Sequence, residues 1–156
     1  MAERKLDTQS VSDMLEINQN LSRNFMSTDE KSWKVWENTF ADELTIDFGR
    51  VKPPQKTTPK DLMDWAKKTY ATVKTQHMLF NIDIHLDGDQ ATSKSYGHAR
   101  HEHTDNGDFW HIYAIYEHEH VRTPNGWRIS KIKMTPNFQE GNPKLLDETF
   151  ALATKS

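Results

Sequence analysis

Eight histidines and no cysteine bound the chemistry available to these 156 residues. Imidazole changes charge nearest neutral pH, so each histidine is a candidate proton acceptor or metal ligand. Thiolate catalysis, disulfide scaffolding and cysteine-ligated zinc are excluded. His77 lies in Thr75-Gln76-His77-Met78-Leu79-Phe80-Asn81, a stretch that otherwise reads as a buried strand. Met78, Phe80, Ile82, Ile84 and Leu86 alternate along it, and unbroken alternation puts His77, Asn81, Asp83 and His85 on the opposite face. That face is either a wet surface or a polar cavity. Two further runs, His98-x-x-His101-x-His103 and His118-x-His120, have the spacing at which strand residues share a face and could chelate.

The elements that carry these residues decide whether they meet. Four β runs, about 76–87, 90–104, 109–122 and 126–135, are separated by Asp87-Gly88-Asp89, Asn106-Gly107 and Asn125-Gly126. Asn-Gly favours a primed hairpin turn, because both central residues need positive φ. An antiparallel meander follows. With Asn106 and Gly107 as a two-residue loop, His118 pairs with Ser95 and His120 with Ser93, roughly 20 Å from His101 and His103. This register argues against a shared four-ligand site, no metal is expected, and the histidine runs read as surface residues at strand ends. The same register gives one face Gly97, Ala99, His101, Trp110, Ile112, Ala114 and Tyr116, and the other Tyr96, His98, Arg100, His111, Tyr113 and Glu117. Small residues among large ones suit either a cavity wall or a sheet that admits a helix.

The first half is helical. Met14, Ile17, Leu21 and Phe25 recur at helical spacing, with Ser10 and Ser12 as candidate N-caps and Asp13 supporting the first turn. Ser27-Thr28-Asp29-Glu30 offers fresh capping chemistry and opens a second helix carrying Trp33, Trp36 and Phe40. A short strand, Leu44 to Phe48, precedes a loop from Gly49 to Thr57 whose Pro53-Pro54 opposes helix and ladder alike. Thr58-Pro59 starts a third helix with Leu62, Trp65, Ala66 and Tyr70 inward. Asn142-Pro143 begins a tail whose Leu145, Leu146, Phe150 and Leu152 suit a docking helix. The layout is α+β, one domain over 1–156, with 1–7 loose and 142–156 as tail or helix.

Only 35% of residues are hydrophobic, but five Trp, seven Phe and four Tyr supply enough area for a core. A net charge of −3 has the wrong sign for a general phosphate-binding surface, so nucleic acid is not an expected partner. No apolar run approaches about 18 residues and no leader pattern is present, which points to a cytoplasmic protein without a membrane partner.

Six features in order carry a family resemblance: the N-terminal amphipathic helix; Thr28-Asp29-Glu30-Lys31-Ser32-Trp33; Thr75-Gln76-His77 with Asn81; Asp87-Gly88-Asp89-x-Ala91; Tyr116; and Arg122-Thr123-Pro124-Asn125-Gly126-Trp127-Arg128-Ile129. Together they resemble the nuclear transport factor two-like superfamily, in its SnoaL-like branch. The resemblance implies a cone-shaped barrel: three N-terminal helices against a strongly curved, mixed but mostly antiparallel sheet, with a ligand cavity inside. In lyases such as scytalone dehydratase, hexachlorocyclohexane dehydrochlorinase and bile-acid dehydratase, an Asp at the first helix bend pairs with a His at the start of the first long strand. Asp29 and His77 match those positions, which implies His77 as catalytic base and Asp29 as its partner. Asp29 alone also reads as a cap, since exposed N–H groups at a helix start favour a carboxylate.

The substrate-binding residues expected are Asn81, Gly97, Ala99, His101, Ile112, Ala114, Tyr116, Trp33 and Leu44. The sequence departs from the dehydratase pattern where a tyrosine precedes the acid by five residues, because Asn24 stands there. Tyr70, Tyr96, Tyr113 or Tyr116 are the candidate substitutes, and Lys131 or Lys133 the loose replacements for a dehydrochlorinase-like arginine. The expected function is a cofactor-independent lyase or isomerase acting on a small hydrophobic, cyclic molecule, in a homodimer or homotrimer. The alternatives are a non-catalytic ligand-binding module and a structural subunit like the small subunit of ring-hydroxylating dioxygenases.

Overall fold

The chain opens with a longer helix than its capping pattern predicts. In the computed structural model, which describes residues 6–49 and 53–155, α1 spans Thr8–Glu30. Of the loose segment expected over 1–7, only Leu6 and Asp7 fall within the described residues, and the centre of the 49–57 loop lies outside them. The N-cap is Asp7, whose carboxylate accepts the Ser10 backbone N–H at 2.7 Å, so neither Ser10 nor Ser12 caps the helix. Ser27 and Thr28 do not open a second helix. Their hydroxyls donate backwards to the carbonyls of Arg23 and Asn24, which satisfies them inside α1. The helix stops at Lys31, which adopts a left-handed conformation with φ 56°.

A short α2, Trp33–Glu37, leads into β1, Phe40–Asp47. Phe40 therefore begins the strand rather than extending the helix. It still meets Trp36 edge to face at 4.8 Å. β2, Gln55–Thr57, lies in what was expected to be loop; it starts just after the proline pair and adds an antiparallel edge to β1. α3, Pro59–Thr69, has Thr58 as its cap and Leu62, Ala66 and Tyr70 buried, as its sequence predicts. The long strands are β3 Val73–Asp87, β4 Gln90–His103, β5 Phe109–Thr123 and β6 Gly126–Gly141, and α4, Leu145–Ala153, forms from the tail. The strand order is β2-β1-β6-β5-β4-β3, with only β1 and β6 parallel. The mixed, curved sheet and its helices bear out the expected α+β architecture. No helix of the described residues is long and apolar enough to cross a membrane.

Two register features differ from the sequence expectation. The β4–β5 loop is longer than two residues: Asn106 turns its side chain to the Asp108 N–H at 2.9 Å, and His103 N–H donates to the Asp108 carbonyl. Pairing shifts by two, so Gly97 faces Ala114, His118 faces Ser93 and His120 faces Ala91. An even shift leaves every side chain on its predicted face. The second feature has the opposite effect. β3 carries a bulge between Phe80 and Asp83, with Asn81 at φ 52°. The extra residue reverses the facing, so Thr75 and His77 share the core side with Ile82, Ile84 and Leu86, while Phe80 is 50% exposed.

The core also holds polar groups. Asp13 is buried and accepts both Nη atoms of Arg122 at 2.8 Å, together with Trp127 Nε1 at 3.1 Å. This pins α1 to the β5–β6 hairpin, and the Arg122 hydrogen bonds hold the Asp13 carboxyl well below the usual carboxylate range despite burial. His118 and His120 are each 1% exposed, which corrects the surface reading of that run: both lie on the inward face of β5, His118 against Phe25 of α1. His120 meets Ser93 Oγ at 2.9 Å, whereas neither ring nitrogen of His118 has a hydrogen-bond partner among the described residues. Burial lowers both pKa values, to about 3 for His118 and about 4 for His120, so both rings stay neutral.

Asp13→Asn is expected to destabilise the fold by about 2 kcal/mol, since it removes the buried one of the two carboxylates paired with Arg122 and leaves only the exposed Asp89, at 2.9 Å; a fall in urea midpoint at constant slope is the readout. The buried histidines predict acid lability. Their folded pKa values lie below the unfolded value of about 6.5, so the unfolded chain binds more protons as pH falls from there toward about 4. Stability should then drop by about 1.4 kcal/mol per pH unit for each ring. His118→Phe should remove one such contribution without loss of stability at neutral pH, measured by denaturant titration across pH.

Candidate functional site

The last turn of α1 lies against the start of β3, and this contact builds the site. Asp29 does not sit at a helix start, so the capping reading is overturned: it belongs to the C-terminal turn of α1, where the helix dipole opposes negative charge. Three donors from β3 offset that. Asp29 Oδ2 accepts the His77 backbone N–H at 2.8 Å, and Oδ1 accepts Thr75 Oγ1 at 2.8 Å and His77 Nδ1 at 2.6 Å. Burial opposes ionisation of Asp29, but the hydrogen bonds and charge of His77 outweigh it and hold the carboxyl below its ordinary value. An ionised carboxylate only accepts, so Nδ1 of His77 carries a proton, and Nε2 is the ring nitrogen left to take up a further one.

His77 lines a cavity of about 370 Å³ between the helices and the concave face of the sheet. Its wall carries Phe25 on α1, Trp36 on α2, Trp65 on α3 and Trp110 on β5, with Asp61 and Asp147 also bordering it. His101 stands beside His77, with ring centroids 5.3 Å apart and planes nearly perpendicular. His101 stacks on Trp110 at 5.0 Å, and its Nδ1 donates to the Trp110 carbonyl at 3.3 Å. Burial above all, with the neighbouring His77, pushes its pKa down to about 3, so His101 is a neutral ring.

Tyr116 also lines the cavity. Its ring stacks on His118 at 5.9 Å and receives the edge of Phe25 at 5.4 Å. Gly97 makes this possible, because a Cβ there would collide with Cδ2 and Cε2 of Tyr116. Burial pushes the phenol above its normal range. Tyr116 is therefore a protonated donor facing the cavity.

Of the residues expected to bind substrate, His101, Ile112 and Tyr116 border the cavity with His77. The others do not. Gly97 shapes the wall from behind Tyr116, and Ala99, Ala114 and Leu44 are buried in the core. Trp33 supports the wall from outside, stacked on Tyr70 at 6.4 Å and edge-on to Trp36 at 5.9 Å. Asn81 is exposed at the bulge, where its side chain tolerates the left-handed backbone. Asn24 borders the cavity, but its amide is tied to Thr39 Oγ1 at 2.8 Å. Tyr70 and Tyr116 remain as phenols at the cavity, since Tyr96 and Tyr113 are 53% and 37% exposed on the outer sheet face. Lys131 and Lys133 also point outward, paired with Glu119 and Glu117, so neither replaces a cavity arginine. Thr75 enters the sequence reading only within the Thr75-Gln76-His77 motif, and its spacing of two from His77 puts both on one face. Leu146, from the tail helix, is a further unanticipated wall residue.

The SnoaL-like domain family model matches residues 9–133. The protein Rv2910c of Mycobacterium tuberculosis, described as uncharacterized, is 27% identical over 139 residues, covering 86% of this chain and 92% of that one. Among solved structures, the Kfla4162 protein of Kribbella flavida has a TM-score of 0.82 at 28% identity, covering 88% of this chain and 99% of that one. The hexachlorocyclohexane dehydrochlorinase LinA-type3 of Novosphingobium barchaimii LL02 has a TM-score of 0.69 at 13% identity, over 86% of this chain and 91% of that one, a likeness of fold alone. With the family pattern extending from the first turns of α1 to the middle of β6, the chain belongs to the SnoaL-like domain family.

Proposed function

We propose that the cavity performs a lyase-type reaction on a small, uncharged, largely apolar and cyclic molecule, with His77 as the general base and Asp29 as its positioning partner. The observation that carries this reading is the 2.6 Å contact between Asp29 Oδ1 and His77 Nδ1, which leaves Nε2 as the basic atom of a ring on the cavity wall. Nε2 takes a proton from a substrate carbon, the C–H electron pair becomes the new double bond, and the β-substituent departs with its bonding pair. Asp29 stabilises the imidazolium that forms. Tyr116, a neutral phenol on the cavity wall, donates its proton to a departing oxygen. The aromatic wall favours an apolar ring, and the low polarity strengthens each of these interactions. The dehydrochlorinase named above, whose fold is shared, is an eliminating enzyme by its name, and that supports the same reaction class here.

Proton abstraction is testable without the natural substrate. Wild-type protein incubated with 2-tetralone in deuterated buffer should exchange its α-hydrogens, followed by proton NMR. His77→Gln should slow exchange by about 10²–10⁴-fold while ligand-induced shifts persist; equal exchange by the two proteins sinks the base assignment. Asp29→Asn should also slow it by about 10²–10⁴-fold, because an amide donor at Nδ1 forces the ring proton to Nε2. Tyr116→Phe should leave this exchange intact and lower only the loss of hydroxide from cyclic β-hydroxy ketones, measured by absorbance of the conjugated product.

A further inference from the structure

Two histidines that the proposed reaction does not use face each other on the outer side of the sheet. His98 on β4 is the ladder partner of Tyr113, and His111 on β5 is the partner of Arg100, which makes the two histidines diagonal neighbours on one face. Their Nε2 atoms are 2.5 Å apart and their ring centroids 4.4 Å. Two bare nitrogens at that distance repel, and two N–H groups collide. One Nε2–H therefore donates to the other Nε2, and the two rings converge on a single point that a metal ion can occupy in place of that proton.

The surroundings suit a cation. His98 stacks on Tyr113 at 4.4 Å with an interplanar angle of 9°, which fixes its ring. Behind His111, Glu140 Oε2 lies 3.8 Å from Nδ1, on the side away from His98, where a carboxylate raises the basicity of a ligating imidazole. Arg100, the nearest cation in the ladder, is engaged by Glu102 at 2.6 Å and lies over Phe109. Both rings stand on central strands of the sheet and keep partial access to solvent.

The geometry points to a two-imidazole chelate at His98 Nε2 and His111 Nε2 for a divalent ion of the zinc, nickel and copper class, with solvent completing the coordination sphere. Imidazole–metal bonds of about 2.0–2.1 Å put adjacent nitrogens about 3 Å apart, so the pair opens by about half an ångström on binding. Two nitrogen donors select these borderline ions over magnesium or calcium, which need oxygen. The other runs do not offer this: His118 and His120 are buried in the core, and His103 Nε2 is engaged with Thr72 Oγ1 at 3.3 Å.

Calorimetric titration of tag-free protein with nickel chloride at about pH 7.5 should show one ion per chain, with binding weakened as protons compete at lower pH. His98→Gln and His111→Gln should each reduce affinity by about tenfold or more, whereas His103→Gln should leave it unchanged. Copper-loaded wild-type protein should show nitrogen hyperfine splitting from two imidazoles by electron paramagnetic resonance, reduced to one in either variant. Binding that survives both substitutions in folded protein, or no binding by the wild type, overturns the site.

Discussion

The reversal of facing at Asn81 is the constraint on which the site depends. A β-strand alternates strictly, and β3 has to present Thr75 and His77 inward at one end and Ile84 and Leu86 inward at the other. Those positions have opposite parity, so one additional residue is required between them. Asn81 supplies it in a left-handed conformation at φ 52° that a β-branched residue would adopt only under strain. Without the bulge, either His77 would leave the cavity or the distal apolar residues would leave the core.

Asp29 shows how an unfavourable position becomes a defined one. A carboxylate in the last turn of a helix meets the negative end of the dipole, and burial adds to the cost. Three donors from two residues of β3 reverse the balance. Because the His77 backbone N–H and its ring both bind the same carboxylate, the strand and the imidazole are oriented by one group. The encounter therefore joins folding to chemistry: the contact that docks α1 on β3 also sets which nitrogen of His77 is basic.

The histidines divide by environment rather than by motif. His77 is paired with a carboxylate, His101 is stacked between aromatic rings and kept neutral, and His118 and His120 are enclosed by the core. His98 and His111 face outward and meet each other across two strands. Spacing along the chain gives no access to these differences. His98 and His101 look like neighbours in the sequence, yet the pleat sends them to opposite sides of the sheet, and the partner of each comes from β5.

Much of the architecture is legible locally, because capping at Thr58-Pro59, turns at Gly88 and Gly126, and apolar periodicity in α1 and α3 each depend on nearby residues. The inner face of the β4–β5 hairpin is legible for a different reason: the register differs from its predicted value by two, and an even displacement preserves facing. The limit of α1 is not legible, since Ser27 and Thr28 can cap a new helix or bond back into the old one, and only the packing of Asp29 on β3 favours the second. Nor is the facing of His77, because a single-residue bulge is invisible in a pattern that alternates on both sides of it. The sequence by itself determines which segments form helices and strands and which residue types are at hand for proton transfer. The tertiary structure decides which of them meet, because pairing across strands and the placement of one left-handed residue depend on contacts between segments far apart in the chain.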